Sequence, residues 1–226
     1  VFLSWLGSMV FVRFDSILAS DLGATHSRVK LALASYSVAL IMIAVAGGRL
    51  ADILGRKRMY TIGGVAFSVA ALLGLTVANL WSLVAVRAFM GLSAGLVLTA
   101  TGGVLVSTMH GSTRHDAWLL WRGAGMAGMV LGPVIGPLIA SGSSWRGLFV
   151  SDALLMLVAV AIGAYSMKES RAEDSVITFA HLLPALLLGL GLLSPYLALL
   201  AGKEHLASWP LRAAIVVGGI ACLSGF

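Results

Sequence analysis

Leu31-Ala-Leu-Ala-Ser-Tyr-Ser-Val-Ala-Leu-Ile-Met-Ile-Ala-Val-Ala46 is a long run without one charged side chain. A strand of a membrane barrel is about 10 residues long and alternates apolar with polar, which this run does not. A helix of about 20 mostly apolar residues crosses the hydrocarbon with every backbone N–H and C=O bonded inside its own segment. Residues 182–193 read the same way. The expected fold class is therefore all-α, a polytopic bundle of transmembrane helices.

The rest of the chain agrees. Of 226 residues, 59% are hydrophobic and 11% charged, with a mean hydropathy of +1.00. A soluble domain carries about 25% charged residues, and a disordered chain is still more polar. A water-soluble enzyme and a disordered chain are both excluded. The net charge of +6 sits in short clusters between apolar runs. Orientation signals of membrane proteins belong there, so nucleic acid is not an expected partner. The single cysteine, Cys222, permits neither an internal disulfide nor a thiolate metal site and reads as packing. The chain runs from Val1 to Phe226 within apolar sequence at both ends and reads as a fragment, residues 1–12 being the remainder of a first span.

Eight apolar segments are expected, at residues 2–18, 31–51, 59–78, 80–106, 117–140, 148–167, 179–200 and 207–226. The connections are too short for a folded soluble domain. Alternate loops hold Arg49, Arg56, Lys57, Arg58, Arg114, Lys168 and Arg171 on one side, and Arg28, Lys30, Arg146, Lys203 and Arg212 on the other. The first set is the denser and is expected in the cytoplasm. Trp81, Trp145 and Trp209 then fall at the outer boundary, and Trp118 and Trp121 at the inner one, where amphipathic indoles settle.

Between the second and third spans lies Gly48-Arg-Leu-Ala-Asp-Ile-Leu-Gly-Arg-Lys-Arg58. It reads as a tight cytoplasmic turn in which Gly48 and Gly55 permit positive φ or close approach. Asp52 is a lone anion among cations, suited to a helix N-terminus or an arginine. A plain basic anchor loop would need neither the aspartate nor the glycine spacing. The segment resembles the signature loop of the major facilitator superfamily, glycine-x-leucine-alanine-aspartate-x-x-glycine-arginine-lysine, with Ile53 where a basic residue is common.

Two further stretches carry the resemblance. Leu83-Val-Ala-Val-Arg87-Ala-Phe-Met-Gly91 is similar to the family's fourth-span pattern, Met90 replacing a glutamine. Arg87 would lie about 10 Å deep at 1.5 Å per residue, where a functional role is the default and snorkelling the alternative. Gly128-Met-Val-Leu-Gly132-Pro-Val-Ile-Gly136-Pro137 resembles the fifth-span motif of the family's antiporters, with Pro137 where a second glycine is usual. Small residues at this spacing let two helix backbones touch, and Pro133 bends the helix; generic packing would explain the glycines alone.

The short link after the sixth span and the two segments beyond it resemble the fourteen-span drug:proton antiporter branch. On that resemblance residues 1–167 form a six-helix N-terminal lobe of two inverted three-helix repeats, and residues 168–226 two additional helices. The branch usually has a first-span aspartate where this chain has Gly7. Asp15 is then the nearest replacement carboxylate, with Arg13 beside it but not facing it. Asp152, early in the sixth span where relatives often have asparagine, is a second embedded acid. Snorkelling or end-capping is the alternative for both aspartates.

Gly91-Leu-Ser-Ala-Gly95 matches a nucleophile elbow, but that motif needs a strand–turn–helix context, and the sixth span offers Ser93 no histidine. His26, His110, His115 and His205 fall in loops and His181 near a span end, none paired at metal-ligand spacing. No phosphate-binding loop is present. Neither an enzyme, a metal, a cofactor nor an ATP-driven pump is expected. The resemblance implies proton-coupled efflux of small hydrophobic or drug-like compounds by alternating access, in a bacterial cell membrane. Arg87 is the candidate modulator of proton coupling and Asp15 the first candidate carboxylate, with Asp152 and Arg13 as further members of the coupling set, and the resemblance implies a cytoplasmic latch at Gly48, Asp52, Gly55, Arg56 and Lys57. Gly128, Gly132, Pro133 and Gly136 would seal or flex the fifth span. The expected partners are a small-molecule substrate, protons, the lipid bilayer and a C-terminal lobe of the same protein. A twelve-span solute transporter and a non-transporting receptor-like or assembly relative are the alternatives.

Overall fold

Local turn chemistry ends several of these helices. Asn79 opens one with a capping box: its side chain accepts from the Ser82 N–H at 2.8 Å, while Ser82 Oγ accepts from the Asn79 N–H at 3.2 Å. Gly55, at φ +104°, alone separates two others. A computed structural model describes residues 1–141 and 144–170. These form α1 (Phe2–Met9), a 3-10 turn (Val12–Phe14), α2 (Asp15–Asp21), α3 (His26–Leu54), α4 (Arg56–Leu73), a 3-10 turn (Gly74–Thr76), α5 (Leu80–Thr108), α6 (Gly111–Ala140) and α7 (Arg146–Ser166).

Six stretches among the described residues are long and apolar enough to cross a membrane. They match the first six expected segments. The segments at 179–200 and 207–226, with Trp209, Cys222, His181 and His205, lie outside the described residues, as does most of the 168–226 unit. Two boundaries need correction. α3 begins at His26 and α6 at Gly111, well before the apolar runs at 31 and 117. Hydropathy marks only the part of a helix that meets hydrocarbon, whereas its hydrogen-bond ladder continues into polar sequence until a turn residue stops it. Gly48 is likewise interior to α3, where an added Cβ would meet nothing within 4 Å. Of the two glycines expected to turn the loop, only Gly55 does. The first span is not one helix but two, interrupted between Met9 and Asp15.

The helices pair through small residues. α3 lies along α5, where Gly91 lets the backbone approach Tyr36 and Gly95 brings it to the Leu40 carbonyl. α1 lies on α6 and α4 on both α5 and α7. In spans, the principal pairs are first–fifth, second–fourth, third–fourth and third–sixth. Exchanging spans one, two and three with four, five and six turns first–fifth into second–fourth and leaves third–sixth unchanged. The third–fourth pair breaks this exchange, because its counterpart, first–sixth, is only a slight contact. The core runs through Phe11, Phe14, Tyr36, Phe67 and Phe149. Large apolar side chains remain exposed on α6, with Leu120 at 76% and Val130 at 69%.

Candidate functional site

Where the first span breaks, α1 ends with carbonyls that have no partner in their own helix, a costly state at membrane depth. Arg87 of α5 supplies the partners. Its Nη1 donates to the Gly7 carbonyl at 2.8 Å and its Nη2 to the Ser8 carbonyl at 3.2 Å. A cation at a helix C-terminus also matches the helix dipole. The guanidinium is fully buried and lies between two rings, 4.8 Å from the centroid of Phe11 and 4.6 Å from that of Tyr36. Tyr36 in turn donates its hydroxyl to the Ser4 carbonyl at 2.6 Å. Arg87 therefore does not snorkel.

Asp152 of α7 reaches the same point. It is 4% exposed, and its Oδ2 would stand 3.3 Å from a Cβ added to Gly7. The structure brings Gly7, Arg87 and Asp152 together from three spans. It does not bring Asp15 or Arg13 there. Asp15 stands near the end of the first span, 3.6 Å from Lys30 Nζ and 3.8 Å from His26 Nδ1, and Arg13 is exposed. The partner that the sequence left open for Asp15 is thus a lysine of the next span. Lys30 lines a cleft of about 260 Å³ with Val12, Ser37 and Ser8. Ser8 Oγ lies 3.0 Å from Ser37 Oγ, so the cleft ends on the residue whose carbonyl holds Arg87.

At the other end of the bundle, Arg56 donates from Nε and Nη2 to Asp52 Oδ1 at 3.0 and 2.7 Å. Of the two partners the sequence allowed Asp52, the structure selects an arginine. Arg56 lies flat on Gly103 of α5, where a Cβ would meet its Nε at 2.8 Å. Asp52, Arg56, Gly103, Trp118 and Trp121 border a cleft of about 390 Å³. The two indoles meet edge to face at 5.2 Å. The first turn of α4 is closed by residues beyond the sixth span. Glu169 accepts from the Lys57 N–H at 3.1 Å and the Ser170 carbonyl from the Arg56 N–H at 3.1 Å. This cap was not foreseen; the only signal was an acid just past the sixth span.

The fifth-span glycines form one stripe against the first span. Added Cβ atoms at Gly128 and Gly136 would strike the Phe2 and Val10 carbonyls, and one at Gly132 would come 2.7 Å from Met9 Cβ. Pro133 and Pro137 lie inside α6 without ending it. Trp145, expected at the membrane boundary, is 3% exposed and donates from Nε1 to Asp21 Oδ2 at 2.6 Å, clasping the first and sixth spans. Ser93 is helical and donates to the Phe89 carbonyl at 2.9 Å. No cluster of metal-ligating side chains exists among the described residues.

A family model described as Major Facilitator Superfamily matches residues 1–226. The chain is 25% identical to the methyl viologen resistance protein SmvA of Salmonella typhimurium, across 90% of the chain and 41% of SmvA. It is 28% identical to the multidrug efflux pump LfrA of Mycolicibacterium smegmatis, across 66% of the chain and 31% of LfrA. With the quinolone resistance protein NorA of Staphylococcus aureus it shares 30% identity, across 70% of the chain and 40% of NorA. The chain spans less than half the length of each of these relatives.

Proposed function

We propose a function from one premise: the chain belongs to the major facilitator superfamily. In this reading it is the N-terminal lobe of a secondary transporter of a bacterial cell membrane. The transporter exports small hydrophobic or drug-like compounds in exchange for protons, by rocking against a second lobe. The observation that carries the reading is the charged centre of Arg87 and Asp152, buried inside a membrane-spanning bundle whose relatives are named for resistance and efflux. Charges in that position are expensive and mark ion pathways.

The Asp52–Arg56 pair, with Lys57 beside it, acts as the cytoplasmic latch, supported by its place on Gly103 between the second, third and fourth spans. Gly128, Gly132 and Gly136 hold the first and fifth spans in contact and seal the lobe there. Asp15, through Lys30, stands at the rim of the outer cleft. The experiment is uptake into everted membrane vesicles carrying the full-length protein. Energised vesicles should accumulate methyl viologen or a quinolone, and an uncoupler should release it. Accumulation that survives the uncoupler overturns proton coupling; absence of accumulation across a panel of hydrophobic cations and quinolones overturns the efflux reading.

A further inference from the structure

Of the four buried side-chain polar atoms without a hydrogen-bond partner among the described residues, three belong to Ser4 of α1, to Arg87, which caps α1, and to Asp152, which faces Gly7 of α1. Such atoms are rare, and their concentration marks a site that structure alone does not account for. Asp152 lies about 9 Å inside its span at 1.5 Å per residue, and its Oδ2 is the unpartnered atom. It forms no direct ion pair with Arg87, whose two end nitrogens are committed to the Gly7 and Ser8 carbonyls. A buried carboxyl oxygen without a hydrogen-bond partner carries a desolvation cost that a proton bound there would relieve.

What faces Oδ2 is the bare α-carbon of Gly7. A Cβ at residue 7 would come 3.3 Å from Oδ2 and 3.2 Å from the end of the Phe67 ring. Residues 7 and 152, on different spans, therefore compete for a single position. We propose that Asp152 is the proton-exchanging carboxylate of the transporter, reaching from the sixth span into the place an acidic side chain at residue 7 would take, with Gly7 making room for it. This rests on the transporter reading above.

The charged and titratable groups facing Asp152 are Arg87 from α5 and Tyr36 from α3; α1 presents Gly7 and α4 presents Phe67. The outer cleft ends at Ser8, one residue from Gly7. Oδ2 is buried beyond the cleft wall, so the proton of a hydronium ion in the cleft passes Ser8 to reach it, forming one O–H bond on Oδ2 and leaving water in the cleft. The reverse transfer, when access alternates, returns the proton to water on the cytoplasmic side. Protonation removes the negative charge facing Arg87, so the two states of the carboxyl differ in their pull on the guanidinium that ties α5 to the first span.

The test uses the full-length protein and two readouts. The first is methyl viologen movement in proteoliposomes, as pH-gradient-driven transport and as gradient-independent exchange. The second is the infrared carboxyl band of the purified protein, followed against pH. Asp152→Asn should lower gradient-driven transport roughly tenfold or more, the factor that one pH unit of driving force supplies to a coupled step. It should retain exchange and lose a titrating carboxyl band. Gly7→Asp combined with Asp152→Ala should regain both the gradient response and the band. Gradient dependence or a titrating band unchanged in Asp152→Asn overturns the proposal, as does their loss in Asp15→Asn instead. If Asp152→Asn does not assemble, the double variant decides, and an assembled double variant without a titrating carboxyl overturns it. Wild-type protein that shows the Asp152 band but no gradient-driven transport of any compound counts against the transporter reading and not against the proton site.

Discussion

Asp52 and Arg56 each stand at the unfavourable end of a helix, an anion in the last turn of α3 and a cation in the first turn of α4. Neither helix gains from its own charge, so the pair is held for the contact between the two. Asp52→Asn keeps the shape and removes the charge. In the full-length protein it should slow transport several-fold while leaving the apparent affinity for methyl viologen within a few-fold; a large loss of affinity at normal turnover would make Asp52 a binding residue. Gly55 is constrained twice over, by φ +104° and by Glu169, whose Cδ would lie 2.8 Å from an added Cβ. Gly55→Ala should therefore destabilise by about 1–3 kcal/mol from the backbone alone, with a further loss where Glu169 is displaced. Gly48→Ala, in open space within α3, should instead be neutral or gain up to about 1 kcal/mol. Thermal melts of the two purified variants, moving in opposite directions, check the assignment of the turn to Gly55.

Helix pairing in lipid cannot draw on burial of apolar surface from water, so close backbone approach and hydrogen bonds carry it. α6 shows how local that requirement is. Gly128, Gly132 and Gly136 touch the first span, whereas Gly123 on the same helix has nothing within 4 Å of an added Cβ. Gly132→Val should separate α6 from α1 at a cost of about 1–3 kcal/mol, the usual penalty of overpacking, and reduce the yield of monodisperse protein. Gly123→Ala should do neither. Equal effects of the two variants would show that the stripe is not what joins the spans.

The first–fifth, second–fourth and third–sixth pairs map onto one another when the first three spans are exchanged with the next three, whereas third–fourth does not. Alternating access needs a second bundle to rock against. Residues 1–226 expressed by themselves should insert as a multi-pass protein and show no gradient-driven accumulation of methyl viologen or a quinolone, while the full-length protein does. Proton-dependent efflux by the isolated residues would overturn the two-lobe reading.

The sequence by itself determined the class, the number and order of the first six spans, the basic loop after the second span and the family. Each of these is written locally, in runs of apolar residues, in charges between them and in motifs whose spacing fits within a few helical turns. It also carried two departures from the family's pattern, the missing acid at Gly7 and the extra acid at Asp152, but as unrelated facts more than a hundred residues apart. The helix ends were misjudged at His26 and Gly111 because hydropathy reports the solvent around a helix and not its hydrogen bonds. The break in the first span was invisible for the same reason: Val10, Phe11 and Val12 are as apolar as a continuous span would be. Only the packing of the first span against the second, fourth and sixth decided that Arg87 caps that break, that Asp15 belongs with Lys30 at the outer rim, and that Asp152 lies over Gly7. Which side chains share one buried point depends on how helices rotate against one another, and that rotation is set by contacts between spans, which no single span encodes.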